Sequence, residues 1–283
     1  MSEIRRVLIH IRWPLQSFTL LGFLFGIVIS RTNLSTNLVM GFISWFFLCS
    51  AIAVFNSYYD KDTKPVAGLE NPPVATSSLL VGALLLKLFG LIIALFLNKL
   101  FLLMYIIGIL ISVLYSHKNF RFKSNGYVAV LINFIVGTIT FIAASSFVHL
   151  NTQLLLLGSI TAGIFLAAIY LMMQIHQKEE DIERQDISIM VSHGRKTTLI
   201  SAIILMFMAS ILSSITLKFS GVSWFYISII IIYFFVILFS SYKWLKNQEN
   251  PTSDFKIMNK LTMRLSYSAN LILLIIYIFD VIN

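Results

Sequence analysis

The sequence predicts an all-α fold, a polytopic membrane bundle of nine transmembrane helices with a cytoplasmic N-terminus. Composition is the first reason: 58% of the 283 residues are hydrophobic and 12% charged, where a soluble domain carries roughly 25% charged residues. Mean hydropathy is +0.88. The second reason is that the apolar residues form continuous runs, each close to the ~20 residues a helix needs to cross a bilayer. A β-barrel would instead show alternation. The third is that the joins between runs are alternately short and long, with charge collected in the long ones.

The runs lie near 14–31, 36–57, 78–97, 100–116, 127–148, 153–176, 198–217, 222–242 and 263–281. Arg5, Arg6 and Arg12 precede the first, as in a signal peptide. That run ends in Ile29, Ser30 and Arg31 without a small-residue cleavage site, so it reads as a retained helix. The short joins hold only Arg31, Lys99 and Lys218; the N-terminal segment and the long joins at 58–77, 117–126, 177–197 and 243–262 hold the other basic residues outside the runs. Positive residues stay cytoplasmic, which puts the long joins inside and the C-terminus outside. Every acid except Asp280 falls on that same side. Lys87, inside a run, reads as a snorkelling lysine. The net charge of +9 is therefore a topology signal and not an affinity for nucleic acid. Cys49 stands alone, which excludes an internal disulfide and a cysteine metal site. No phosphate-loop, zinc-protease or serine-elbow motif occurs, and the whole chain, 1–283, reads as a single domain.

Two polar stretches interrupt this pattern. NSYYDKDTKPVAGLENPP, Asn56 to Pro73, follows the second run. Asn56 and Asp60 share a helical face; Lys61, Asp62 and Lys64 follow before Pro65, Gly68, Pro72 and Pro73 end regular helix. QIHQKEEDIERQD, Gln174 to Asp186, follows the sixth run, and Gln174, Gln177 and Asp181 share one face with Glu180 at its flank. Either stretch alone also fits a solvated juxtamembrane segment. Together, two oxygen-rich helix ends at one membrane face offer what Mg²⁺ needs, a few carboxylates completed by phosphate oxygens. The join after the fourth run, YSHKNFRFK, adds Tyr115, Ser116, Lys118, Arg121 and Lys123, whose cations suit diphosphate oxygens.

With these stretches the chain resembles the UbiA superfamily of intramembrane prenyltransferases over essentially its whole length. RWP at Arg12 to Pro14, Asn133 and Gly137 in the fifth run, and QDISIMVSHG with Gln185 and Ser188 at the usual Gly and Thr add to the likeness. The resemblance implies Mg²⁺ held by NDxxDxxxD and DxxxD motifs, a prenyl diphosphate that ionises, and an acceptor that captures the allylic cation. Asn56, Asp60 and Asp181 match those motifs. Ser57 and Lys64 stand where the first motif has Asp, and Gln177 where the second does. Asp62 and Glu180 are the stand-in ligands, and Lys64 a direct phosphate contact. Asp60 and Asp181 are thus the expected catalytic pair, with metal ligands Asn56, Asp60, Asp62, Gln177, Glu180 and Asp181. Lys64, Lys118, Arg121 and Lys123 are expected on the diphosphate, and Tyr115, Ser116, Asn133, Tyr170 and Gln174 along the substrate pocket. Tyr58 and Tyr59 are further aromatic candidates, though for either alone interfacial anchoring is the preferred reading.

The expected function is Mg²⁺-dependent transfer of a polyprenyl group to a lipophilic aromatic or hydroxyl acceptor, at the cytoplasmic face of a bacterial plasma membrane. The alternative is a member of the fold that binds an isoprenoid or other lipid without turnover, suggested by Lys64 and Gln177. A transporter would place its site near the midplane, whereas these acids gather at one face. The residues name neither the acceptor, the prenyl length nor the oligomeric state.

Overall fold

The computed structural model describes residues 1–282. Its elements are α1 (Glu3–His10), α2 (Trp13–Ser30), α3 (Thr36–Asp60), α4 (Ser77–Leu95), α5 (Lys99–Ser116), a 3-10 turn (Phe122–Ser124), α6 (Gly126–Ser145), α7 (Thr152–Gln174), α8 (Lys178–Glu183), α9 (Ile189–Phe219), α10 (Trp224–Lys246) and α11 (Pro251–Ile276), the last continued by a π turn at Tyr277–Val281. Among the described residues nine helices are long and apolar enough to cross a membrane, all but α1 and α8.

Polar residues in the joins start the helices. The side chains of Ser35, Asn98, Asn151 and Asn250 each accept a hydrogen bond from the backbone N–H three residues on, and Asn125 accepts from Tyr127 and Val128. These caps satisfy donors that lipid cannot. In the middle of the bundle α7 packs on α6 and α9. Gly137 of α6 lets that contact close, because a Cβ there would collide with the Ala162 carbonyl of α7. Small residues at such crossings are how helices pack tightly in lipid.

Several helices outrun the apolar stretches at their polar ends, whereas α7 stops at Gln174 and a turn separates it from α8. Gln174 therefore does not share a continuous helical face with Gln177 and Asp181. Helix α3 continues to Asp60, α9 begins at Ile189 instead of 198, and α11 begins at Pro251 instead of 263, leaving a join of only 247–250. The reason is mutual satisfaction of polar groups, which hydropathy does not register. Arg195 forks onto Asp254 through Nε and Nη2, both at 2.9 Å, and donates to the Asn247 and Trp244 carbonyls; Trp244 Nε1 donates to Asp254 at 2.6 Å. This buried cluster ties α9, α10 and α11 together just beyond Gly194, whose φ of 75° bends α9.

Two expectations change. The N-terminal basic segment folds as α1, an amphipathic helix with Ile4 and Leu8 exposed and His10 buried. Its polar side anchors the α3–α4 join: Arg6 Nη1 donates to the Val74 carbonyl at 3.2 Å and His10 Nε2 to the Pro73 carbonyl at 3.0 Å. Lys87 does not snorkel into solvent. It is 6% exposed and its Nζ lies 3.9 Å from the Phe55 ring centroid, so an aromatic face receives its charge.

Candidate active site

Helix α3 ends where Lys61 takes a left-handed conformation, φ 51°, leaving Asn56 and Asp60 on its last turns. Lys123 arrives on the 3-10 turn; its Nζ donates to Asn56 Oδ1 at 3.0 Å and forms an ion pair with Asp60. Ser116 Oγ donates to the same Asn56 oxygen at 3.0 Å. A backbone seam holds this turn against the segment after α8. Ile187 N–H donates to the Ser124 carbonyl at 2.7 Å, and Gly126 N–H to the Ile187 carbonyl at 2.8 Å. The seam presents Asp186 to Arg121, which forks onto it at 3.0 and 2.8 Å and lies 3.8 Å from Asp60.

Beyond Lys61 the chain doubles back and buries Asp62 between two guanidinium groups, Arg12 Nη2 at 3.0 Å and Arg184 Nη2 at 2.6 Å. Arg12 sits in the left-handed break between α1 and α2, φ 55°, and also donates to Ser57 Oγ at 3.0 Å. Opposite, Gln174 Nε2 donates to the Tyr170 hydroxyl at 2.6 Å, which in turn contacts Tyr115.

Asp181 differs from its neighbours. Among the described residues it has no cation within ion-pair distance, while Asp60 and Asp62 each have two and Asp186 has one. Burial pushes its carboxyl up to about 6, with Ser188 and the charge of Arg184 working against the rise and Asp186 and Asp60 adding to it. Burial also raises Glu180. Lys123 is drawn below the usual lysine range by burial, against the pull of Asp60.

These groups enclose a polar pocket of about 70 Å³, and an apolar cavity of about 340 Å³ runs from it into the bundle. Arg12, Asn56 and Tyr115 line both. The apolar cavity reaches Phe25 of α2, Leu217 of α9 and Leu273 of α11, near the opposite end of the molecule. From Arg12 to Phe25 the helical rise gives a depth of about 20 Å.

Of the residues singled out in the sequence, Asn56, Asp60, Asp62, Lys123, Tyr115, Tyr170, Gln174, Gln177 and Asp181 line the polar pocket. Ser116 and Arg121 touch it through Asn56 and Asp186. Asn133 lines the apolar cavity instead. The expectations for Lys64, Lys118, Glu180 and Asp62 need correction. Lys64 turns outward to Glu179 and Glu183, at 3.4 and 3.0 Å. Lys118 is exposed. Glu180 Oε1 accepts from the Lys64 backbone N–H at 3.2 Å, which pins the join and not the pocket. Asp62 is held by arginines, as above. Tyr58 and Tyr59 pack with Phe55 and His117 outside the pocket lining. Arg12, Arg184, Asp186 and Ser188 also line the pocket; in the sequence Arg12 reads as part of the basic N-terminal segment and of RWP, Ser188 stands at a motif Thr, and no motif marks Arg184.

The donor set bears on a metal ion. Among the described residues no three Asp, Glu, His or Cys side chains converge as a ready cage. Mg²⁺ does not require one, since it takes one or two carboxylates and completes its shell with water and phosphate oxygens. Asp181, buried with no cation at ion-pair distance among the described residues and sharing the pocket with the amides of Asn56 and Gln177, fits one such ion.

The fold and this pocket define a polytopic membrane protein with a charged mouth set over an intramembrane apolar shaft. The chain belongs to the UbiA prenyltransferase family, whose model matches residues 18–266. Its fold is that of a UbiA homologue from Archaeoglobus fulgidus bound to DMAPP and Mg²⁺, at 20% identity and a TM-score of 0.70 over 95% of this chain and 99% of that one. It is similarly close to a digeranylgeranylglyceryl phosphate synthase, at 19% identity and 0.68 over 98% and 99%. A UbiA homologue from Aeropyrum pernix K1 aligns at 14% identity and 0.67 over 90% and 96%. Comparison with curated proteins gives no match.

Proposed function

We propose that this protein transfers a polyprenyl group from its diphosphate to a lipophilic acceptor, aromatic or hydroxyl-bearing, with the polar pocket facing the cytoplasm of a bacterium. The observation that carries the reading is the junction at Arg12, Asn56 and Tyr115, where the polar pocket and the apolar cavity meet. A prenyl diphosphate has that same polarity, a charged head on an apolar tail, and its reacting C–O bond lies between the two. The A. fulgidus homologue with DMAPP and Mg²⁺, and another structure of it with GPP and Mg²⁺, support the assignment of ligand class. The basic residues gathered at the polar end support its orientation.

On this reading Asp181 and Asp60, with the amides of Asn56 and Gln177, would hold Mg²⁺, Asp60 once Lys123 has turned from it to the diphosphate. When bound, the ion neutralises charge on the leaving diphosphate. Lys123 binds the diphosphate oxygens beside it, and Arg121 stays forked on Asp186 and keeps the Lys123 turn in place. As the C–O bond breaks, its electron pair leaves with the diphosphate and an allylic cation remains. The apolar wall excludes water, and the Tyr115 ring at the junction faces the developing cation. The acceptor forms the new bond to the prenyl carbon and releases a proton.

The test is release of pyrophosphate by purified protein from a panel of prenyl diphosphates and acceptors. Mg²⁺-dependent release with a prenylated product is expected. A panel that yields none, while the protein stays folded and binds prenyl diphosphate, favours the second reading. That reading is an isoprenoid-binding member without turnover, and the ion pair of Lys123 with Asp60 speaks for it.

A further inference from the structure

Where this chain departs from the family pattern, its structure holds a unit not used in the chemistry above. Asp62 lies between Arg12 and Arg184, at 3.0 and 2.6 Å. The resemblance leads one to expect an aspartate at position 57, but Ser57 stands there and takes a hydrogen bond from Arg12 without cancelling its charge. Two permanent cations therefore share the Asp62 carboxylate. Glu180 lies 3.8 Å from Arg184 but accepts from the Lys64 backbone. Arg12 is 7% exposed, and its Nε is buried with no hydrogen-bond partner among the described residues. A buried donor left unpaired is costly, and a phosphate oxygen would satisfy it. Both arginines line the polar pocket, and Arg12 also lines the apolar cavity.

We propose that Arg12 and Arg184 form a guanidinium clamp that grips the diphosphate directly, so that one divalent ion suffices at this site. The proposal rests on the reading that the pocket receives a diphosphate. Guanidinium forks match phosphate oxygens in pairs and carry fixed charge at any working pH. The carboxylates missing at positions 57, 64 and 177 are those that further ions would need, and Lys64 at the second of these is committed to Glu179 and Glu183. Asp62 then acts as a placeholder that keeps the two guanidinium groups together until phosphate oxygens engage their remaining N–H donors.

Geranyl thiolodiphosphate, which resists ionisation because sulfur replaces the bridging oxygen, is the probe. Its affinity for the full-length protein in detergent is measured by calorimetry with Mn²⁺ present, and bound Mn²⁺ is counted by electron paramagnetic resonance. One Mn²⁺ per chain is expected. Arg184→Ala should weaken probe binding about tenfold or more, the loss expected for a charged hydrogen bond, and Arg184→Lys should recover part of it. Two or more Mn²⁺ per chain, or wild-type affinity in Arg184→Ala, would overturn the clamp. Thermal unfolding of each variant separates a lost fold from a lost contact. Asp62→Asn keeps both guanidinium groups and gives an independent reading. Unchanged or tighter probe binding supports the clamp, whereas a tenfold loss identifies Asp62 as a metal ligand and sinks it. Because the probe transfers nothing, an absence of prenyl transfer leaves the clamp result standing. A neutral Arg184→Ala in an active transferase removes the clamp alone.

Discussion

Asp60, on the last turn of α3, and Asp181, on α8, line the same polar pocket, although half the bundle separates them along the chain. Their surroundings differ: Asp60 is paired with Lys123, and Asp181 is buried with no cation within ion-pair distance among the described residues.

Neutralising either aspartate should therefore remove prenyl transfer. Asp60→Asn and Asp181→Asn are each expected to lower kcat/KM by about 100-fold or more, as loss of a transition-state electrostatic contact does. Transfer to any accepted acceptor, assayed in membranes, measures it. Wild-type rates in both variants would remove these residues from the chemistry.

The Arg195–Asp254 pair should matter for stability and not for transfer. Arg195→Met leaves Asp254 buried without its partner, a loss of about 3–5 kcal/mol by analogy with other broken buried pairs. Arg195→Met with Asp254→Leu should recover much of this, and thermal unfolding of the single and double variants reads the coupling. Additive losses in the double variant would show that the two side chains do not act as a pair.

His10 gives the fold a pH dependence with a definite sign. Burial holds its ring below the ordinary histidine range, opposed by the bond to Pro73; Arg12 and Arg6 add to the lowering and Asp62 opposes it. The unfolded chain takes up this proton near pH 6.5 while the folded protein resists it. Stability should thus be full above about pH 6.5 and fall as the pH drops below it. The melting temperature of wild type should decline more steeply on acidification than that of His10→Gln, and parallel curves would exclude the ring as the source.

Filling the far end of the apolar cavity should shorten the accepted tail. Ser213 lines that cavity on α9, well away from Arg12. Ser213→Phe is expected to shift competition between prenyl diphosphates toward shorter ones while leaving the polar pocket intact. An unchanged preference would mean that the tail leaves the cavity before it reaches this depth.

The spans and their number were readable in the sequence because each rests on a local pattern, apolar length and charge in the long joins. That the polar ends at Asn56/Asp60 and Gln177/Asp181 meet rests instead on their shared membrane face and the family resemblance. What hid was decided by partners distant in the chain. Nothing in the local sequence distinguishes Lys64, which turns to Glu179 and Glu183, from Lys123, which turns to Asn56 and Asp60. Asp62 reads as a metal ligand until Arg12 and Arg184 arrive from two other segments. The early starts of α9 and α11 were masked in the same way, since Arg195 and Asp254 depress hydropathy singly and satisfy each other once paired.

The two hydrogen bonds that join Ser124 and Gly126 to Ile187 have a practical corollary for anyone recombining relatives of this protein. They zip one inter-helix connection to another, so exchanging a single connection between homologues would leave a torn hem and a misaligned rim. The smallest graft that should carry a new specificity intact is both connections together, moved as a matched pair.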